Sequence, residues 1–487
     1  MSHAASRGRW VRLTIAIVIM IGTVNNVGAD ELRLIRDTVV DAKALTFADG
    51  KATRFGNTVN GRTHQQNAVS SYRGYQYAAF VDEGRRICLG RRKVSSSEWS
   101  VIRFTDHRFE TNDSHNAVAI GICEKDGTIH MAFDHHATPL NYRVSRIGLA
   151  NNPSRFRWDA SLFSPVLHTL GSVEATERVT YPRFFSSPDG NLMLYYRAVT
   201  SGNGDGMIER YDGRIHNWVP GLGKFAARDV GVYRFGGKES MYRCPYMNPP
   251  SFAGRRLHLS WVWRDRFEAT NPANQHDLCY VYSDDFGRTW HNTDGDLVGR
   301  TGSHPIHLNT RGLVAVPISP DQRVSNSNSQ YAYDDGSVHV VMRQIDRLSK
   351  EHRYHHYWRR PDGKWTSSAL PFTGNRPKIV GTDDGRLVLV YCEQIENTYR
   401  LSFAVGKANS GKDSYTWERV KTPHPAVLGE ALLDTRRWKD EQVLSVYYQV
   451  TPNKNIRTSA TKPIDGEPSA LHVTDYHLVS SSEESPQ

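Results

Sequence analysis

Histidines, tyrosines and arginines stand at the predicted strand ends of this chain, with few carboxylates among them. The groups are Asp113 to Asn116, Asp134-His135-His136, Thr180 to Arg183, Arg197, Tyr242 to Tyr246, Asn326 to Asn328, Arg343 and Asn375-Arg376. A glycosidase of the usual kind needs two carboxylates flanking the scissile bond. Asp134 is one candidate, and no partner stands out. β-Elimination beside a uronic acid needs a different set: a cation for the C5 carboxylate, a base for the C5 proton and an acid for the departing oxygen. Arginine, histidine and tyrosine supply those three roles. The C5 proton is weakly acidic, so neutralising its adjacent carboxylate supplies much of the stabilisation of the enolate-like state. This is a lyase's residue set. Each residue also has a plainer use: a histidine can bond structurally, Tyr181 before Pro182 can wedge between sheets, and Arg197 can pair with an acid. Recurrence at equivalent positions is what favours the chemical reading.

Those positions follow from a repeat. A Gly or Asp-Gly turn followed by a short apolar strand occurs at Gly74–Phe80, Asp126–Asp134, Asp189–Arg197, Gly254–Trp263, Asp335–Arg343 and Asp384–Tyr391. A weaker copy runs over Glu441–Tyr448. Asp-Gly opening a strand marks a hairpin. Recurrence every roughly fifty to eighty residues points to radially arranged four-stranded sheets, an all-β propeller. In a blade the first two strands are antiparallel, so the start of one and the end of the next share a face. Residues about seven beyond each glycine, such as Asp134, Arg197 and Arg343, then gather at one mouth with the first-strand starts. Ser283 to Trp290 fits the Ser-x-Asp-x-Gly-x-Thr-Trp box, whose aspartate and serine cap a turn while the tryptophan packs between strands. That role is structural.

Arg7, Arg9 and Arg12 precede an apolar run from Leu13 to Val24, and Val27-Gly28-Ala29 offers a small-residue cleavage site. Residues 1–29 therefore read as a signal peptide, 30–479 as one catalytic propeller domain and 480–487 as a disordered tail. The expected mature protein is secreted or periplasmic, with no membrane contact after cleavage. The formal charge of +10 falls to about +7 without the leader and favours a polyanionic partner. No basic helix, zinc-finger spacing or RNA-binding signature supports nucleic acid. An acidic polysaccharide suits an exported protein. The five cysteines have no CxxC spacing and predict buried thiols rather than a disulfide framework. Cys244, His276 and Cys279 are the candidates for a structural metal, without strong zinc-ligand spacing. The chemistry itself calls for no cofactor and no metal.

The run His115-Asn116, Asp134-His135-His136, Tyr181-Pro182-Arg183, Tyr195-Tyr196-Arg197 and Tyr242 to Tyr246 resembles the BNR-repeat family of seven-bladed propellers. That family includes ulvan lyases (polysaccharide lyase families 25 and 24), rhamnose–glucuronate lyases and an α-L-rhamnosidase group. The resemblance spans about Asn57 to Tyr448, and its most specific part is the separation of His115 from His135 followed by Tyr181 and Arg197. It implies paired catalytic histidines His115 and His135, a catalytic Tyr181, and Arg197 as the neutralising cation. Asn116, Arg183, Arg343 and Arg376 are expected to bind substrate, with a second tyrosine at Tyr242 or Tyr246. A histidine as base and Tyr181 as acid is the favoured division, and a tyrosinate serving both roles stays open. The implied activity is β-elimination beside a uronic acid in a rhamnose-containing, sulfated, ulvan-like polysaccharide. The rhamnosidase relatives use an opposite-face histidine, for which His64 is nearest here. A glycan-binding propeller without chemistry is the third reading.

Overall fold

The computed structural model describes residues 1, 31–46, 58–62, 67–110, 113, 115–173, 178–267, 274–409, 414–420, 422, 425–452 and 467–479. The expected signal peptide, the tail and His64 lie outside these residues. No helix among the described residues is long and apolar enough to cross a membrane.

The chain is all-β, built from antiparallel sheets of mostly four strands that follow one another along the sequence. The first holds Val69–Tyr72, Tyr75–Val81, Arg86–Lys93 and Ser100–Arg108. The second has Val118–Cys123, Thr128–Phe133 and Tyr142–Val144. The third runs through Val179–Ser186, Leu192–Ala198, Gly206–Asp212 and Asn217–Ala226, with His136–Thr138 added on its inner edge. The fourth is led by Arg243–Met247, Arg256–Asp265 and Gln275–Ser283. The fifth and sixth span Ser329–Ala332 to Trp365–Ala369 and Lys378–Gly381 to Tyr415–Arg419. In the last, Val427–Leu433, Val443–Val450 and Ser469–Val479 are joined by the N-terminal strand Glu31–Ala44.

The turn signals place these strands well. Gly74, Gly127, Gly190, Gly254, Gly336 and Gly385 all take the positive φ that glycine adopts without steric cost. The weak seventh copy differs. A short helix, Thr435–Glu441, replaces the expected turn and ends on Gln442 at φ 53°, which launches Val443–Val450. In the Ser283 box, Asp285 accepts from Thr289 N at 2.8 Å and Thr289 Oγ1 at 2.7 Å, and Trp290 is fully buried. Its role is structural, as expected.

Burial falls from the leading strands outwards. Val118–Cys123 and Thr128–Phe133 are buried on both faces, whereas Ser100–Arg108 alternates as a strand with one wet face does. Successive sheets share apolar cores, as Ile120, Met131 and Phe133 do with Ile87, Leu89 and Phe104. The last sheet packs on the first through Val40, Phe80, Leu432, Tyr447 and Val473. Buried polar bonds join the same two sheets: Arg92 pairs with Asp475 at 2.7 Å, and Ser71 Oγ donates to Asp434 at 2.6 Å.

Close sheet contact has a testable consequence. A Cβ on Gly121 would sit 2.4 Å from Phe184 Cβ in the next sheet, whereas one on Gly202 would meet nothing within 4 Å. Gly121→Ala is expected to cost about 1–3 kcal/mol by overpacking. Gly202→Ala should stay within about 0.5 kcal/mol. Urea denaturation midpoints check this, and equal midpoints would contradict the packing.

Candidate active site

Asp113 lies just before the inner strand of the second sheet and accepts from two imidazoles. His115 Nδ1 is 2.6 Å from one carboxylate oxygen, and His136 Nδ1 is 2.5 Å from the other. The two rings stack with centroids 4.5 Å apart. Tyr181 continues the stack, 5.7 Å from His136 and 5.9 Å from His115. Its backbone has φ 52° within a register shift between Thr180 and Arg183. A bulge of this kind re-aims a side chain that a regular strand would point elsewhere. Burial, with Tyr246 adding to it and Arg197 opposing, pushes the Tyr181 phenol well above its ordinary pKa, so it keeps its proton at neutral pH.

Arg197 ends the second strand of the third sheet, its guanidinium 4.9 Å from the Tyr181 ring centre and 4.5 Å from that of Tyr246. It is 1 % exposed, and its guanidinium donates to Cys244 Sγ at 3.6 Å. Nε and Nη2 have no partner among the described residues. A buried guanidinium with no carboxylate bonded to it is costly, and an entering anion would satisfy it. Tyr246 accepts from Arg264 Nη1 at 3.0 Å.

The structure redistributes several expected residues. His135 does not join His115. Its Nδ1 bonds Thr138 Oγ1 at 3.2 Å and its Nε2 accepts from Asn141 N at 3.1 Å, so His136 occupies the place expected for it. The left-handed residues Asp134 and Ala137 explain the exchange, because they break the strand's alternation on either side of the pair. Of the two competing tyrosines, Tyr246 is in the cluster, while Tyr242 is 58 % exposed and away from it. Arg183 is buried and donates to Met247 O at 2.5 Å and Ser327 Oγ at 3.1 Å, which ties neighbouring sheets together. Arg376 is held by Glu430 at 2.8 Å and by Asn326, with Arg343 near it. Asn116 donates to Asp134 at 2.7 Å, and His107 bonds the other oxygen of that carboxylate at 3.0 Å. Asp113 and His136, which the sequence placed among the strand-end groups without a role, complete the cluster together with Arg264 and Arg62, which it did not place there. Arg62 acts by charge on both His115 and Tyr181.

The five cysteines are buried and free. Cys244, His276 and Cys279 do not come together as a metal site among the described residues: His276 is bonded by Asp265 at 2.8 Å and Asp277 at 2.9 Å. Among those residues only Asp113, His115 and His136 bring donor atoms close enough for a metal.

The fold and this cluster define an all-β repeat protein whose polar site is assembled from several successive sheets. The chain belongs to the BNR repeat-containing family, whose model matches residues 75–373. It is 24 % identical over 382 residues to a long-isoform ulvan lyase of Pseudoalteromonas sp. (strain PLSV), covering 66 % of this chain and 37 % of that one. It is 27 % identical over 407 residues to that of Alteromonas sp. (strain LOR), covering 71 % and 39 %. The chain thus spans about two-fifths of the length of these curated relatives. Among solved structures, the polysaccharide lyase Uly1 superposes with a TM-score of 0.68 at 17 % identity, covering 92 % of this chain and 100 % of that one. A PL25 ulvan lyase bound to -[GlcA(1-4)Rha3S]- gives 0.58 at 13 %, covering 88 % and 97 %. These two show the fold.

Several imidazoles are held neutral by burial: His115 and His135 are pushed down to about 4, and His130, His258 and His356 to about 3. Between those values and the unfolded value of 6.5, the unfolded chain binds more protons than the folded one. Stability is therefore full above the unfolded pKa and is lost as pH falls towards the folded one. Asp113, buried yet held below the carboxylate range by its histidine bonds, adds a loss only at lower pH. The urea midpoint is expected to drop between pH 7.5 and pH 5, and a flat profile would contradict these assignments.

Proposed function

We propose that this protein is an exported seven-bladed β-propeller lyase. It would cleave beside a uronic acid in a rhamnose-containing, sulfated, ulvan-like polysaccharide. The blade count is supported by the succession of sheets, each sharing a core with the next and the last with the first. Ulvan is suggested by the names of the relatives, and an acidic substrate by the chain's positive charge.

The observation that carries the reading is Arg197: a buried, always-charged group with two nitrogens unpartnered among the described residues, beside two phenols, one of which stacks on two imidazoles. In the proposed reaction the uronate carboxylate pairs with Arg197. Because Tyr181 and Tyr246 cover that guanidinium, one ring must shift as the anion enters. Nε2 of His115 or His136 takes the C5 proton. The C5–H electron pair becomes the C4=C5 double bond as the C4–O bond breaks, and the departing oxygen takes the Tyr181 proton. Charge neutralisation lowers the barrier most, and acid–base transfer adds about 10²–10⁴-fold. Asp113, Asp134 and Glu430 are each engaged by histidine, asparagine or arginine side chains, which disfavours a flanking pair for hydrolysis.

Mixing the purified protein with ulvan should raise the ultraviolet absorbance of a conjugated unsaturated uronate. Arg197→Ala, Tyr181→Phe and His136→Ala should each lose at least about 10²-fold in rate. His135→Gln should keep most of it. Wild-type turnover in Arg197→Ala, or equal losses at His135 and His136, would overturn the site.

A further inference from the structure

Asp113 precedes the inner strand of the second sheet, and the reaction outlined above gives it no bond to make or break. Its carboxylate is nonetheless fully committed. One oxygen accepts from His115 Nδ1 at 2.6 Å and from the His115 backbone N–H at 3.0 Å. The other accepts from His136 Nδ1 at 2.5 Å. An ionised carboxylate can only accept, so the hydrogen in each short bond belongs to the imidazole. A neutral imidazole carries one N–H, and placing it on Nδ1 leaves the lone pair on Nε2.

A metal would arrange these atoms differently. Two ligands about 2.0–2.1 Å from a tetrahedral zinc lie about 3.3 Å apart. The separations of 2.5 and 2.6 Å here are those of direct hydrogen bonds from imidazole N–H to carboxylate. The two histidines come from either side of the second sheet, one before its first strand and one after its second, and their rings lie within 21° of parallel. One carboxylate bonded to both rings explains that alignment.

We propose that Asp113 is the positioning residue of this site, fixing His115 and His136 together as Nδ1–H tautomers and balancing the charge of whichever one takes up a proton. Each ring then presents Nε2 as a base, and the imidazolium formed on proton removal keeps its carboxylate partner, much as the aspartate of a catalytic triad serves its histidine. Burial pushes His115 down to about 4, so it is neutral and able to act as a base at neutral pH. The role in turnover rests on the lyase reading, whereas the tautomer assignment does not.

The test separates the two. In protein labelled with nitrogen-15 at histidine, long-range proton–nitrogen NMR should report His115 and His136 as Nδ1–H tautomers. An Nε2–H tautomer at either would overturn the proposal on the wild type alone. In Asp113→Asn the side-chain amide can donate where the carboxylate could only accept, so at least one ring should change tautomer. On ulvan its kcat is expected to fall about 10³–10⁴-fold with KM within about threefold. Asp113→Glu should recover part of that loss. Unchanged tautomers or unchanged kcat in Asp113→Asn would overturn the proposal, and so would a stoichiometric divalent metal in the wild type that this variant loses. If the wild type eliminates nothing from ulvan, the lyase reading fails and the NMR result still decides the role of Asp113.

Discussion

The pairing of Glu31–Ala44 with Ser469–Val479 is the constraint on which the rest of this structure depends. It brings the first and last described strands of the chain into one sheet, more than four hundred residues apart in sequence. That sheet then packs against the first, through an apolar seam and a set of buried polar bonds. Arg92, Arg437 and Ser445 all reach Asp475, and Ser71 and Gln76 both donate to Asp434. A buried ion pair of this kind contributes more to register than to net stability, since desolvation offsets much of its attraction. Register is what matters here. The site takes residues from the segment before the first sheet, from both sides of the second, and from the third and fourth. No sheet carries it alone, so its geometry is only as fixed as the packing between sheets.

Much of the fold was legible because its punctuation is local. Six glycine turns with positive φ were readable from Gly and Asp-Gly alone, and the strands behind them followed. The seventh was faint because the left-handed residue there is Gln442, capping a short helix whose Asp434 N-cap accepts from Arg437 N. Counting seven residues from each glycine reached Arg197, whose guanidinium lies beside Tyr181 and Tyr246. It missed Arg264, because Arg256–Asp265 is ten residues long and ends later than its counterparts.

The structure departs from the finer expectations where the backbone leaves regular strand geometry. Alternation cannot tell His135 from His136 when Asp134 and Ala137 both take positive φ, and only His136 faces the cluster. Arg183 has the right type and neighbourhood, yet the bulge at Tyr181 turns it into the core. Asp113 was in view and given no role, since a site short of carboxylates argued for elimination. One carboxylate is compatible with that chemistry, because it serves two imidazoles and is not bonded to Arg197. Burial keeps the Tyr181 phenol protonated and the His115 imidazole neutral, and the Arg197 guanidinium stays charged in spite of burial.

The central claim is that this site breaks a glycosidic bond without water. Running the reaction on ulvan in heavy-oxygen water and weighing the fragments by mass spectrometry tests it most directly. Elimination predicts fragments with no incorporated label, their masses summing to that of the parent oligosaccharide. Label in the newly formed ends, one oxygen per cleavage, would mean hydrolysis and would contradict the account.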